Sequence, residues 1–313
     1  MLADFGSRTT AEEAASVFAA EIKGKNVLIT GPSLGGLGAE TARVISKFGA
    51  GIVILAGRSR DKLEETEKAI KSDVPTAKTR LLILDLNSLA AIGAAADEVL
   101  AYPEPIHVLI NNAAIMAIDY AITADGYEAQ FGVNYLAHFL FTARIFPKLR
   151  ESGSPRVVNI SSGGHRYSPF RFDDPGFSGG EKYDRWAAYA QSKTANILFS
   201  VELARRGVFA FSVHPGSVPT NLPKSAPLKE MVKIGIYNEK GEPVYSGHTV
   251  WKTLAEGASS YIVASFDPSM EPGSYIVDSQ VHNERAQPYA LDPEDAKRLW
   301  KLSEELVGEA FNI

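Results

Sequence analysis

Short apolar runs recur along the chain: Asn26–Thr30, Ile52–Leu55, Leu81–Leu84, Val108–Ile110, Val157–Ile160, Val208–Val213 and Tyr275–Val277. The first four begin about 27 residues apart, the length of a strand plus a crossover helix. Apolar runs without polar alternation suit strands buried on both faces, as in a parallel sheet. Helical stripes fill the intervals. Leu37, Thr41, Val44, Ile45 and Phe48 fall at i, i+4, i+7, i+8 and i+11 on one face. Leu89, Ile92, Ala96 and Val99 repeat the pattern behind Ser88, a residue suited to cap a helix. Asp292-Pro293 opens a last helix with Leu299, Trp300, Ser303 and Leu306 on one side and Gly308 as its stop. The alternation predicts an α/β, doubly wound domain: a seven-stranded parallel sheet with helices on both faces.

Three segments break the rhythm. Residues 1–22 read as a packing arm with a short helix, capped through Thr9/Glu12 or Thr10/Glu13, ahead of a single domain over 23–313. Residues 163–186 are rich in Gly, Pro and aromatics, and residues 221–250 follow the sixth run without clear periodicity. Long loops in compact domains are usually functional, so both read as lids over a substrate site. Their aromatics suggest an apolar or aromatic substrate, although loops bury aromatics for their own stability at least as often.

Composition narrows the chemistry. The formal charge of −5 carries no basic stripe, which argues against nucleic acid as a partner. With no cysteine there is no thiolate nucleophile and no disulfide, so redox chemistry needs a borrowed cofactor. The histidines His107, His138, His165, His214, His248 and His282 show no close ligand pairing, and no metal is expected. His138, on a largely apolar helix, reads as core, and His165 as a loop histidine or a lining residue of the substrate site. No apolar run approaches the roughly 18 residues of a spanning helix, and the N-terminus is too polar for a secretory signal. An integral membrane segment is not expected, and cytoplasm is the expected location.

The stretch NVLITGPSLGGLGAETA (Asn26–Ala42) matches two incompatible motifs. Gly31-Pro32-Ser33-Leu34-Gly35 is GxSxG, the elbow that presents a serine nucleophile, here Ser33. Hydrolases with that elbow place an oxyanion loop and several strands before it, whereas only about 25 residues precede this strand. The glycine reading explains more. Gly31 makes the turn, Gly36 lets backbone approach a pyrophosphate, and Gly38 allows tight helix–sheet packing, with Ser33 and Leu37 beside the phosphates at the helix N-terminus.

Thr30-Gly31, Gly36-Leu37-Gly38, Asp85-Leu86, Asn111-Asn112-Ala113, Asn134, Ser161-Ser162, Tyr189-x-x-x-Lys193 and Pro215-Gly216 follow one another in the order that resembles the short-chain dehydrogenases/reductases, over about residues 24–307. Phe131–Thr142, Tyr189–Phe199 and the tail from Pro288 look like the retinol dehydrogenase-like branch, which also holds WW-domain oxidoreductases. The resemblance implies a Rossmann fold. It implies catalytic roles for Asn134, Ser162, Tyr189 and Lys193, with Ser161 the less favoured serine, Lys193 also on the nicotinamide ribose, and Asn134 anchoring a relay water. By position it puts Asp85 and Leu86 at the adenine, Asn112 at the adenosine side, and Val218 and Thr220, after Pro215-Gly216, at the carboxamide and phosphates. Two departures stand out. The glycine loop has one extra residue, so Gly35 or Gly36 can be its middle glycine; Gly36 keeps the Gly-Leu-Gly spacing. Ala114 replaces the last glycine of the usual Asn-Asn-Ala-Gly.

Tyr189 and Lys193 at i,i+4 share one helix face. A close cation lowers a phenol's pKa from about 10, making it a usable proton donor or acceptor. At the end of the second strand stands Arg58, where NAD-binding sites place an acid; Arg58, helped by Arg60 or Lys62, can grip a 2′-phosphate, so NADP(H) is expected. The sequence thus reads as an NADP-dependent alcohol dehydrogenase or carbonyl reductase acting on a small carbonyl or alcohol. A cofactor-binding regulatory or scaffold protein is the competing class, and a serine hydrolase using Ser33 the remote one. Relatives of this kind are often homo-oligomers, and subunit count stays open.

Overall fold

The computed structural model describes residues 4–245 and 250–313. His248, and the part of the 221–250 segment at 246–249, lie outside the described residues. The expected strands form as β1 (Val27–Thr30), β2 (Ile52–Gly57), β3 (Lys78–Ile83), β4 (Val108–Asn111), β5 (Arg156–Ile160), β6 (Phe209–His214) and β7 (Tyr275–Val277). A further short strand, β8 (Gln280–Val281), pairs antiparallel with β7, so the sheet has eight strands rather than seven. The strand order is β3-β2-β1-β4-β5-β6-β7-β8. The chain leaves β1 for β2 and β3, then crosses back to lay β4 on β1's other side. That reversal opens a crevice beyond the carboxyl ends of β1 and β4, where ligands bind in doubly wound sheets.

Around the sheet stand α1 (Ala11–Val17), α2 (Ala19–Ile22), α3 (Leu37–Lys47), α4 (Arg60–Asp73), α5 (Leu89–Leu100), α6 (Ala129–Phe131), α7 (Ala137–Arg150), α8 (Arg185–Arg205), α9 (Leu228–Lys233), α10 (Leu254–Phe266) and α11 (Pro293–Val307). Alternation along the strands feeds two apolar layers. Leu28, Ile54, Leu109 and Val157 face the side of α5, α7, α8 and α11, while Val27, Ile29, Val108 and Val158 face that of α3 and α10. Each strand is therefore apolar on both faces, as its uninterrupted sequence requires.

Local signals set the helix ends. Thr10, not Thr9, caps α1 in a capping box with Glu13, and α1 packs on α10 and α3. Ser88 caps α5, and Asp292 caps α11, which Gly308 ends at φ +70°. Trp300 of α11 packs edge-on to Phe139 of α7, at 5.0 Å between ring centroids, and against Phe199 of α8. Among the described residues no helix is long and apolar enough to cross a membrane.

Candidate active site

The glycine loop leaves β1 through Gly31, whose φ of +65° and 2.8 Å approach of a would-be Cβ to Ala113 Cβ exclude any side chain. Gly35 also has a positive φ, +74°, whereas Gly36 is extended and serves as the N-cap of α3. The extra residue thus gives the loop two jobs on adjacent glycines: Gly35 turns the chain and Gly36 begins the helix. No side chain caps Gly36, so the free N–H groups of α3's first turn have no side-chain partner there. Gly38 is small because Asn112 Nδ2 would lie 2.7 Å from a Cβ at that position.

Asn112 is committed within the protein. Its Nδ2 donates to Thr30 O at 2.7 Å and Gly31 O at 3.1 Å, and its Oδ1 accepts from Tyr261 Oη at 3.0 Å. It splints the loop. Leu37 and Val218 are buried and meet over Gly257, where a Cβ would lie 2.8 Å from Leu37 Cδ2 and 2.6 Å from Val218 Cγ2. Thr220 Oγ1 accepts from Leu222 N, and Gly216, at φ +89°, lets Lys252 pass close by. Pro215 precedes it directly after β6. Asp85 accepts from Asn87 N in a turn after β3, and Leu86 is buried. Arg58, at the end of β2, is exposed and has no ion pair with another described residue.

Beyond β5 the residues expected to do chemistry come together. Tyr189, buried on α8, shares a hydrogen bond with the Ser162 side chain, whose Oγ also accepts from Gly164 N at 3.0 Å. Ser161 instead donates to Lys193 O at 2.8 Å and is spent on structure. Lys193, one turn after Tyr189, donates from Nζ to Ile160 O at 2.9 Å and stands 5.7 Å from the Tyr189 ring centroid. Burial dominates the electrostatics. It pushes the Tyr189 phenol up to about 12, against the lowering by Ser162, and pulls the Lys193 ammonium down to about 7. Without nucleotide the pair therefore rests near neutrality. In the nucleotide-free protein burial is the largest influence on both residues.

Asn134 lies in a widened π turn, Gly132–Leu136. Its side chain accepts from Ile115 N at 2.8 Å and donates to Ile115 O at 2.9 Å and Ser192 Oγ at 3.0 Å. It holds the loop after β4 to the helix that carries Tyr189 and Lys193. His165 is structural: Nδ1 donates to Ser162 O at 2.7 Å, Nε2 accepts from Gln287 N at 3.1 Å, and the ring is fully buried. Ser33 is exposed, and no histidine contacts its hydroxyl among the described residues, so nothing there generates a nucleophile.

Aromatics of 163–186 are mostly spent on packing, with Phe170 against Phe131 and Phe172, and Phe177 against Tyr183. Tyr167 is exposed, whereas Trp186, one turn before Tyr189, packs elsewhere. It joins Met116, Ala117, Ala226, Met231, Ile236 and Tyr237 in a separate apolar cluster. Sequence reasoning also passed over Asn221, whose Nδ2 donates to Leu34 O of the glycine loop at 2.9 Å. A polar residue just after the sixth strand was its only signal.

The family model described as short chain dehydrogenase matches residues 25–173. The chain is 36% identical to retinol dehydrogenase 13 of Mus musculus, covering 93% of this chain and 86% of that protein. It is also 36% identical to retinol dehydrogenase 12 of Homo sapiens, covering 92% and 88%. Among solved structures, an uncharacterised protein of Mycobacterium paratuberculosis superposes with a TM-score of 0.72 at 30% identity, covering 94% of this chain and 98% of that one. With the glycine loop, the crevice and the grouped Ser162, Tyr189 and Lys193, these likenesses make the chain a member of the short-chain dehydrogenase/reductase family, in its retinol dehydrogenase-like branch, and hence an oxidoreductase of a family that works with NAD(P).

Proposed function

We propose that the protein reduces the carbonyl of an apolar substrate with NADPH, Tyr189 giving the proton. The observation that carries this reading is the buried hydrogen bond between Tyr189 and Ser162 with Lys193 one turn away. The residues fit a dinucleotide. Gly31 and Gly38 admit no Cβ, no side chain caps the N-terminus of α3, and Arg58, with no ion pair among the described residues, stands where an acid would select NAD. Bound nicotinamide would supply the hydride.

The chain's own residues do the rest. Tyr189 carries its proton at neutral pH and, beside Ser162, can give it to a carbonyl oxygen as general acid. Ser162, whose oxygen already accepts from Gly164 N, has one proton with which to orient that oxygen or steady the phenolate left behind. Lys193 offers a cation to the same phenolate. Apolar substrate is favoured by the cluster of Trp186, Met116, Ala226 and Met231, which stands on the helix face of Tyr189. The names of the curated relatives suggest retinoids as the first compounds to try.

The test follows NADPH oxidation with retinal and a panel of aldehydes, ketones and quinones, beside Tyr189→Phe. Turnover in the wild type and a loss of about 100-fold or more in the variant, with NADPH still bound, is the expected result. Unchanged turnover in Tyr189→Phe defeats the assignment. NADPH binding without turnover of any carbonyl leaves the binding-only reading in its place.

A further inference from the structure

His138 sits on α7 among apolar residues and is 1% exposed, yet both its ring nitrogens are bonded. Nε2 lies 2.9 Å from Thr30 Oγ1 and Nδ1 lies 3.1 Å from Asn134 O. Proton counting orients both bonds. Thr30 Oγ1 already accepts from Asn112 N at 2.9 Å and Ala113 N at 3.0 Å. A hydroxyl has two lone pairs and one proton, so Thr30 donates to its third partner. Ile110 O stands at 3.5 Å and His138 Nε2 at 2.9 Å, and the shorter contact takes the proton. Nε2 is therefore bare, and Nδ1 carries the proton that goes to Asn134 O. Burial, which pulls the ring's pKa down to about 4, agrees with a neutral imidazole.

Each end of this bridge matters. Thr30 closes β1 immediately before Gly31, and its hydroxyl fixes the loop after β4. Asn134 holds Ile115 by two bonds and reaches Ser192 Oγ, which itself donates to Tyr189 O at 2.7 Å. Over this stretch the helix is widened, with Ala137 N reaching back five residues to Gly132 O. Such π turns gather at functional sites. A leucine at 138 would fill the space but leave Asn134 O without the ring's proton and Thr30 with only the long contact to Ile110 O.

Resting on the proposed roles of Tyr189 and Lys193, we infer that His138 is a positioning residue: as a neutral Nδ1–H imidazole it ties the nucleotide loop, through Thr30, to Asn134 and so to the helix bearing the reactive pair. It acts through those two groups and touches no reacting atom.

The first test is direct. In protein labelled with ¹⁵N-histidine, long-range ¹H–¹⁵N spectra report the tautomer of each ring, and the His138 signal is assigned by its loss in His138→Asn. An Nδ1–H tautomer unchanged between about pH 6 and pH 8 is expected; an Nε2–H or charged ring overturns the inference. The second compares His138→Leu, which loses both bonds, with His138→Asn, whose amide can still donate to Asn134 O. NADPH affinity should fall about 10-fold in both, and kcat for retinal reduction should fall about 10- to 100-fold in His138→Leu with at least partial rescue in His138→Asn. A folded His138→Leu protein within about two-fold of wild type in both quantities refutes the role. If His138→Leu does not fold, the wild-type tautomer and the NADPH affinity of His138→Asn decide. Wild-type protein that reduces no carbonyl defeats the proposed activity but leaves the tautomer and NADPH measurements as tests of the bridge.

Discussion

Replacing Lys193 by methionine is expected to stabilise the nucleotide-free protein while removing its turnover. Lys193 is 2% exposed, and burial alone takes its ammonium from 10.5 down to about 7. Below pH 7 the group is charged in both folded and unfolded chains, and folding bears the full cost of desolvating the ion. Between about 7 and 10.5 the folded chain releases a proton that the unfolded chain keeps, so stability climbs with pH across that window. At about 1.36 kcal/mol per unit, this displacement sets a ceiling of about 5 kcal/mol on the cost. Methionine keeps the unbranched stem as far as Cε and omits only the charged end. Its loss of a hydrogen bond strands little, because Ile160 O, the acceptor of Nζ, also receives Asn196 Nδ2 at 2.9 Å. A net gain of about 2–4 kcal/mol below pH 7, shrinking toward zero near pH 10, follows. Urea unfolding of both proteins without nucleotide, at about pH 6, 8 and 10, measures it. A variant less stable than wild type at the acid end, or a gap that does not change with pH, would show that the ammonium is solvated or paired in the native state and would refute the reasoning.

Other outcomes follow from the same geometry. With Arg58 on the 2′-phosphate, as proposed, Arg58→Ala should weaken NADPH about 10- to 100-fold while leaving NADH within about three-fold, because only NADPH carries that phosphate; equal losses for both nucleotides would contradict the assignment. Gly31→Ala forces a side chain onto φ +65° and to within 2.8 Å of Ala113 Cβ, and should cost about 2–4 kcal/mol in urea unfolding together with nucleotide affinity. Trp300→Ala removes the ring wedged between Phe139, Phe199 and Arg206, and a loss of about 3–5 kcal/mol is expected in the same assay.

The sheet was legible because its information is local. Each run of apolar residues that must be covered on both faces became a strand, and stripes at helical spacing became α3, α5 and α11. What escaped was short or half exposed. β3 begins at Lys78, earlier than its apolar run, because the edge of the sheet tolerates Lys78, Thr79 and Arg80. β8 has two exposed residues, joined to β7 through Asp278 and Ser279 at φ +54° and +64°, a tight turn that neither residue type announces as Gly would. The site was legible as a set of residues in order, but the partners of each were not. Asn112 is at the nucleotide loop, yet as its splint, and His138 looked like core because its neighbours along α7 are apolar while Thr30 is 108 positions away.

Those hidden partners share a physical logic. Asn111 and Asn159 interrupt two apolar strands at paired register positions, and Asn111 Nδ2 donates to Asn159 Oδ1 at 2.8 Å and to Thr142 Oγ1 of α7 at 3.0 Å. Asn159 Nδ2 continues to Ser200 Oγ of α8 at 2.9 Å. With Asn134–Ser192 and Ser161–Lys193, these bonds pin α7 and α8 to the sheet by direction as well as by volume. Apolar packing alone would fill the same space and tolerate a small slide of α8; a bonded amide does not, because each displaced donor would be left unpaired in a dry interior. The proposed roles of Tyr189 and Ser162 require the hydrogen bond between them, and the buried polarity is concentrated where such a slide would separate that pair.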